Sequence, residues 1–349
     1  MVYHSSRTIS LLLIGLLLTS SVTSFWLIHW KKGMYAASSI AFGVNVDMTA
    51  MIPGTPYTIQ TAQNHDFFDL AVHLHINTIR ITDIHWETTG EEYAQSLWQQ
   101  VFDQAAQHHI RIILLLEDGG DHSAIQQAHT LLGSYGLAHA RSLWLVDLYN
   151  EPDISDPRRM TALREEASYV QQVAPGVPVT IGGWKSAIQH QPDTFDWENP
   201  ADIPRFIHLV NIVSPHLYTF EDAAKLGRSP RRLTEQFLDA VRKESSHKPI
   251  LLEEFGASNG LAPTNQPASV GSLTWQASVY RGVLQAVSAE YTQGVMGAIA
   301  WIIAPRPGVS NPGLTNFEGD MTGWALILNH GKRLLPAAQE FSIVAREKP

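Results

Sequence analysis

The sequence predicts an α/β domain, a (β/α)8 TIM barrel made of eight strand–helix units. Three observations carry that prediction. From residue 40 onward, short apolar runs alternate with amphipathic stretches. The runs number eight over roughly 310 residues, the size of one such barrel. The glycine-rich phosphate loop that opens a doubly wound sheet is missing after the first run.

Each strand is read from a run rich in β-branched and aromatic residues. In order they are IAFGVNV (40–46), INTIRIT (76–82), IRIILLLE (110–117), SLWLVDLYNE (142–151), VPVTIGG (177–183), VNIVSPHLY (210–218), PILLEEFG (249–256) and GAIAWIIA (297–304). Between them the spacing predicts helices over 91–109, 158–174, 231–246 and 275–293, and a last helix over 335–347. In the fourth of these, Val279, Val283, Ala286 and Val287 recur at helical spacing. Two proline-bearing loops, 257–273 and 304–323, follow late strands and are expected to frame a cleft.

Composition removes several function classes. The net charge is −9 with no basic block, so no nucleic-acid partner is expected. Cysteine is absent, which rules out disulfides, zinc–thiolate sites and thiol catalysis. The histidines show no three-ligand spacing. His73 and His75 would not face each other on a helix, and His108-His109 end one. No metal and no cofactor are therefore expected. The acidic stretch EDGGDH (117–122) reads as a glycine-rich turn or a cation loop.

Residues 9–30, ISLLLIGLLLTSSVTSFWLIHW, carry almost no charge; Arg7 precedes them and Lys31-Lys32 follow. Leu11 to Leu18 reads as a signal-peptide core, with Val22-Thr23-Ser24 as small residues for cleavage. The apolar run continues to Ile28, long enough for a bilayer span of ~20 residues. A signal anchor, or else a cleaved signal, is expected over residues 1–37, and the folded domain over 38–349. The domain is expected outside the cytoplasm, membrane-anchored or secreted, and monomeric.

In a barrel, chemistry gathers at the C-terminal ends of the strands. Strand two carries Asn77 and Arg80 and leads to Asp83, His85 and Trp86, and strand three ends on Glu117-Asp118. Strand four ends on Asn150-Glu151, and strand five runs into Trp184 and Lys185. Strand six ends on His216-Leu217-Tyr218, strand seven on Glu253-Glu254-Phe255-Gly256, and strand eight carries Trp301. A carboxylate at the end of an apolar strand is costly unless it is paired or used. Two such carboxylates, on strands four and seven, lie across the barrel mouth from each other. Glycoside hydrolysis needs one acid to protonate a leaving oxygen and one carboxylate to attack or to activate water.

LYNEP (148–152) and EEFG (253–256), supported by NTIRI, HLY and the strand-eight Trp, resemble a known group. It is the retaining β-glycosidases of (β/α)8 fold, in the cellulase and β-mannanase style of glycoside hydrolase family five and its relatives. The resemblance runs over roughly residues 40 to 345. It implies that Glu151 is the general acid/base and Glu254 the nucleophile. It also implies that Asn150 bonds the sugar 2-OH and that Arg80 sits beneath the nucleophile and keeps it ionised. His216 and Tyr218 would orient the carboxylates, and Trp301 would be a sugar platform. Trp184, His85 and Trp86 complete the expected substrate-binding set.

The implied partner is an oligosaccharide or polysaccharide of glucan or mannan type. The implied reaction is double displacement, with the Glu151 pKa raised so that it starts protonated. A transglycosylase uses the same residues. A carbohydrate-binding cell-envelope protein on the same barrel is the alternative from another class. LLLEDGG (114–120) departs from the group, where several members have a histidine or an aromatic residue, and leaves the adjoining subsites open. Strand alternation sets Glu253 and Glu254 on opposite sides. With Ile250 and Leu252 on the Glu254 side, that side is expected to face the barrel axis and Glu253 the helices.

Overall fold

The structure, a computed structural model, describes residues 39–52, 58–60, 66–82, 91–116, 124–185, 198–225, 227–259, 271–304, 324–328 and 331–347. The apolar N-terminal segment, His85, Trp86, the stretch 117–122 and most of the loops 257–273 and 304–323 lie outside the described residues. Residues Ala41–Pro349 form one compact unit. Among the described residues no helix is long and apolar enough to cross a membrane.

Eight parallel strands make one sheet. They are β1 (Ala41–Asp47), β2 (Thr78–Thr82), β3 (Arg111–Leu115), β4 (Leu143–Asn150), β5 (Val179–Gly182), β6 (His216–Leu217), β7 (Ile250–Phe255) and β8 (Val295–Ala300). Their order is β5-β4-β3-β2-β1-β8-β7-β6, so the first and last strands pair. The seam between β5 and β6 is closed by a bridge from Gly182 to Ser214. There Gly183 N donates to Ser214 O and Asn211 N to Val179 O, both at 2.8 Å. The sheet is a (β/α)8 barrel, as the alternation of runs predicts.

The helices are α1 (Phe67–His73), α2 (Glu91–Gln107), α3 (Ala124–Ala128, continued by a π turn to Ser134), α4 (Pro157–Val173), α5 (Phe220–Lys225), α6 (Pro230–Glu244), α7 (Leu273–Glu290) and α8 (Pro336–Arg346). Local chemistry fixes their starts. Asp156 caps α4 by accepting from Arg158 N, and Pro157 occupies the first turn, where its missing N–H is not needed. Ser229 with Pro230 does the same for α6, and Ser272 accepts from Trp275 N at the head of α7. In α4 the stripe Met160, Leu163, Ala167 and Val170 is buried against the sheet side, the spacing of one helix face. The five predicted helices agree with α2, α4, α6, α7 and α8 to within a few residues. The short helices α1, α3 and α5 were not predicted; stretches of this length carry too few turns for periodicity to declare itself. A two-strand ribbon, β9 (Ile327–Leu328) with β10 (Arg333–Leu334), precedes α8.

Ala41, Ile113, Leu145, Ile212, Leu251 and Ile299 form one fully buried cluster. Contributions from β1, β3, β4, β7 and β8 to a single cluster are possible only inside the barrel. Two residues further along the same strand faces stand Asp147 on β4 and Glu253 on β7. An apolar floor is thus topped by a polar layer. The expectation for β7 is corrected here: Leu251 and Glu253, not Ile250 and Leu252, face the axis. Glu254 reaches the axis as well, because β7 carries one extra residue against β8 between Leu252 and Phe255. Such a bulge interrupts the alternation and re-aims a side chain.

Candidate active site

Arg80, midway along β2, organises the polar layer. It is fully buried, and each of its five N–H groups has an acceptor. Nε and Nη2 donate to Asp147 Oδ2 at 3.0 and 2.6 Å. Nη1 donates to Asn45 Oδ1 at 2.9 Å and to Glu254 Oε1 at 2.6 Å. Nη2 also donates to Asn150 Oδ1 at 2.8 Å. Asn45 is oriented for this, since its amide nitrogen donates to the carbonyls of Glu253 and Ala300. Asp147 keeps its other oxygen for Gly182 N at 2.8 Å. Pairing and hydrogen bonds offset the cost of burying these groups, though burial still lifts the Asp147 carboxyl above its ordinary value against Arg80, Gly182 N and His216.

The register of β6 on β7 sets His216 beside Glu254. Tyr218 OH donates to Glu254 Oε2 at 2.6 Å. His216 Nδ1 lies 3.6 Å from that same oxygen and 3.1 Å from Glu151 Oε1. One oxygen of Glu151, one of Glu254 and a His216 ring nitrogen all lie within 4.8 Å of one another. Glu254 has 5% of its side chain exposed and Glu151 30%, so Glu151 stands nearer to solvent. Glu151 leaves β4 with φ +50°, its N–H on Gly182 O at 2.7 Å. A non-glycine residue in this region costs about 1–3 kcal/mol, and such strain collects at functional sites.

Charge around the ring of His216 decides the protonation states. Burial pulls its pKa down, but Glu254, Glu151 and Glu198 outweigh that and raise it to about 9. Glu198 is itself raised to about 8 by burial, with Glu151 adding to the push and His216 opposing it. Burial also pushes the Tyr218 phenol well above its ordinary value, helped by Glu254, so it stays a donor. Glu151 moves the other way from expectation. Burial raises it, yet the hydrogen bond and charge of His216, with Lys185 and Arg80 behind, leave it below the ordinary carboxylate value. The expected raised pKa is therefore corrected: in the free protein the proton sits on His216. The compact trio of Glu151, His216 and Glu254 has the spacing to hold a cation. At neutral pH the imidazolium already fills it with a proton and offers no lone pair at that nitrogen.

The structure brings together Glu151, Glu254, Asn150, Arg80, His216 and Tyr218. Arg80 is fully buried and meets the mouth of the barrel only through its partners Glu254 and Asn150. Trp301 is partly exposed just after β8 and its carbonyl accepts from Tyr280 OH at 2.9 Å. Trp184 is corrected. It is fully buried, packed on Phe206 at 5.1 Å with Nε1 on Asn199 O, and leaves no surface for a sugar.

Four site residues were missed by the sequence reading. Asn45 and Asp147 were visible as polar residues inside apolar strands. Glu198 accepts from His216 N at 3.0 and 3.1 Å with its two oxygens. Trp324 packs edge-on against Tyr218 at 5.6 Å. Neither of these two follows a strand run, so nothing local marked them.

No family model matches this chain, and no curated protein matches it in sequence. Solved structures do resemble it. The chain is similar to a glycoside hydrolase family 2 β-galacturonidase from Eisenbergiella tayi bound to galacturonate, at 15% identity and TM-score 0.59, over 89% of this chain and 51% of that one. It is similar to the endo-β-1,4-mannanase from Thermotoga petrophila at 16% identity and TM-score 0.56, over 90% and 77%. It is also similar to a β-D-glucuronidase of Dictyoglomus thermophilum at 12% identity and TM-score 0.61, over 89% and 51%. The chain spans about half the length of the galacturonidase and the glucuronidase. At these identities, what it shares with these glycoside hydrolases is the (β/α)8 fold.

Proposed function

We propose that this protein is a retaining β-glycoside hydrolase. The observation that supports it most is the placing of Glu151 and Glu254, whose nearest-facing oxygens lie within 4.8 Å. A pair this close suits the ~5–5.5 Å carboxyl separation of retaining enzymes better than the ~6.5–9.5 Å of inverting ones. Glu254 is the nucleophile. Arg80 holds one of its oxygens and Tyr218 the other, which fixes its aim.

Glu254 attacks the anomeric carbon as the bond to the leaving oxygen breaks, and Glu151 gives that oxygen its proton. Water then attacks the anomeric carbon, surrenders its proton to Glu151 and releases Glu254. Glu151 obtains the first proton from His216 Nδ1, 3.1 Å away. A sugar covering Glu151 strips away its water and raises its proton affinity, which drives that transfer. Asn150 has its carbonyl on Arg80, so its NH2 is the end that meets the 2-OH. Trp301 supplies the apolar platform. This chemistry requires no cofactor.

Glucans and mannans are the substrates of first choice. The similar structures include a mannanase and enzymes named for uronic acids, which makes β-uronides the second group to try. The protein acts outside the cytoplasm as a monomer, anchored or exported by its N-terminal segment. The test is sugar release from β-linked polysaccharides and aryl β-glycosides by the full chain beside Glu151→Gln and Glu254→Gln. Release by the parent, lost in both variants, is expected. A folded parent that binds sugars and releases none favours a binding protein, and transfer to an added acceptor sugar favours a transglycosylase.

A further inference from the structure

Glu253 takes no part in double displacement, yet it lies in the polar layer beneath the nucleophile. It is fully buried. Four charged or titratable groups face it: Arg80 from β2, Asp147 from β4, His216 from β6 and Glu254 from β7 itself. Arg80 Nε comes within 3.5 Å of Glu253 Oε1. Its N–H, however, goes to Asp147, and the other four guanidinium N–H groups go to Asp147, Asn45, Asn150 and Glu254. Both Glu253 oxygens are without a hydrogen-bond partner among the described residues. Gly182 closes in on the same group, since a Cβ there would come within 2.9 Å of Glu253 Oε2 and 2.7 Å of Arg80 Nη2, so the slot is tight.

An ionised carboxylate in a dry interior needs donors, and a neutral acid needs far fewer. One guanidinium already faces Asp147 and Glu254, and a third negative charge has no N–H left to claim. We infer that Glu253 is held as a neutral carboxylic acid and serves as a positioning residue, leaving the Arg80 fork whole for Asp147 and for Glu254. Its role toward Glu254 rests on the glycosidase reading; its protonation does not. Burial, then the charge of Asp147, push Glu253 well above the ordinary glutamate value, and Arg80 and His216 fall short of reversing them. The rival reading makes Glu253 an ionised second partner of Arg80.

Linkage separates the two. A carboxyl that is neutral when folded and ionised when unfolded binds one more proton in the folded state. Its contribution to stability is present at low pH and lost as pH rises toward its raised folded value. Glutamine in its place cannot titrate. In urea unfolding of the parent and Glu253→Gln, the ratio of their folding constants should shift in favour of the variant by about tenfold per pH unit above the ordinary glutamate range. A ratio flat with pH overturns the proposal. Glu198 is common to both proteins and cancels.

Should Glu253→Gln fail to fold, the infrared spectrum of Glu198→Gln at neutral pH decides instead. A protonated-carboxyl band that persists when Asp147→Asn is added is expected, and its absence overturns the inference. Neither readout needs turnover, so a failed glycosidase assay leaves both standing. With an active substrate, Glu253→Ala should lower kcat by about tenfold or more at little change in KM, and Glu253→Gln should restore most of it. Equal effects in the two variants remove the positioning role.

Discussion

Replacing Arg80 by methionine tests the polar layer most directly. The change keeps much of the stem and deletes five N–H donors that serve Asp147, Asn45, Asn150 and Glu254. Breaking a buried ion pair from one side costs about 3–5 kcal/mol, because the other charge is left in the interior. A second route gives a similar figure. Asp147 can escape by taking a proton; from its ordinary value of 3.8 this costs at most about 4 kcal/mol near pH 7 at ~1.36 kcal/mol per unit, and less because burial already raises it in the parent. The assay is urea unfolding with the slope held as a control. The loss should shrink to about 2 kcal/mol near pH 5, where the proton is cheaper to take up. Asp147→Asn gives the sharper signal. It should destabilise the parent and stabilise Arg80→Met, a reversal of sign that a double-mutant cycle reads as coupling. A loss below about 1 kcal/mol, or additive effects in the two backgrounds, would refute the reasoning.

Three further outcomes are expected. His216 is raised to about 9 and Glu198 to about 8. For both, the folded pKa lies above the unfolded one, so their contributions are complete at low pH and fade as pH rises through those values. Urea midpoints should therefore fall from about pH 6.5 to 9, and a rise over that window would contradict the assignment. Gly182→Ala places a Cβ within 2.6 Å of Asp147 Oδ2 and 2.7 Å of Arg80 Nη2. It should cost about 1–3 kcal/mol and lower kcat, and parent-like unfolding with parent-like turnover would show the wall to be soft. Trp184→Ala should cost about 3–5 kcal/mol and leave KM unchanged in the folded fraction. A raised KM at unchanged stability would return Trp184 to the sugar site.

The barrel was legible because its strands are continuous apolar runs and its longer helices repeat over several turns. The candidate site was legible at most of the polar residues that interrupt or end those runs, as Arg80, Asn150, Glu151, His216, Tyr218 and Glu254 do, although Asn45 and Asp147 interrupt runs too and were passed over. Reading failed in three physical situations. Glu198 lies outside every run, and only the folded chain brings its carboxylate to His216 N. Trp184 ends a strand as a ligand-facing residue would, but the chain turns it under Phe206. The protonation of Glu151 depends on His216 and on the other carboxylates around that ring, and no local sequence sums such a field.

Strand seven departs from strict alternation, and the departure decides where its two acids go. Strict alternation allows one axis-facing residue in every two, so Glu253 and Glu254 compete for the axis on paper. The extra residue on β7 between Leu252 and Phe255 removes the competition. Glu253 keeps the axis position set by Leu251, down among Arg80 and Asp147. Glu254 is turned to the axis one residue later, where Tyr218 and His216 can reach it. Two adjacent carboxyls thus enter two environments, one closed on all sides and one opening on the mouth. The first lacks donors and suits a neutral acid; the second receives an N–H and an O–H. The bulge thus gives two neighbouring acids different partners, one hydrogen-bonded near the mouth and one beneath it without donors.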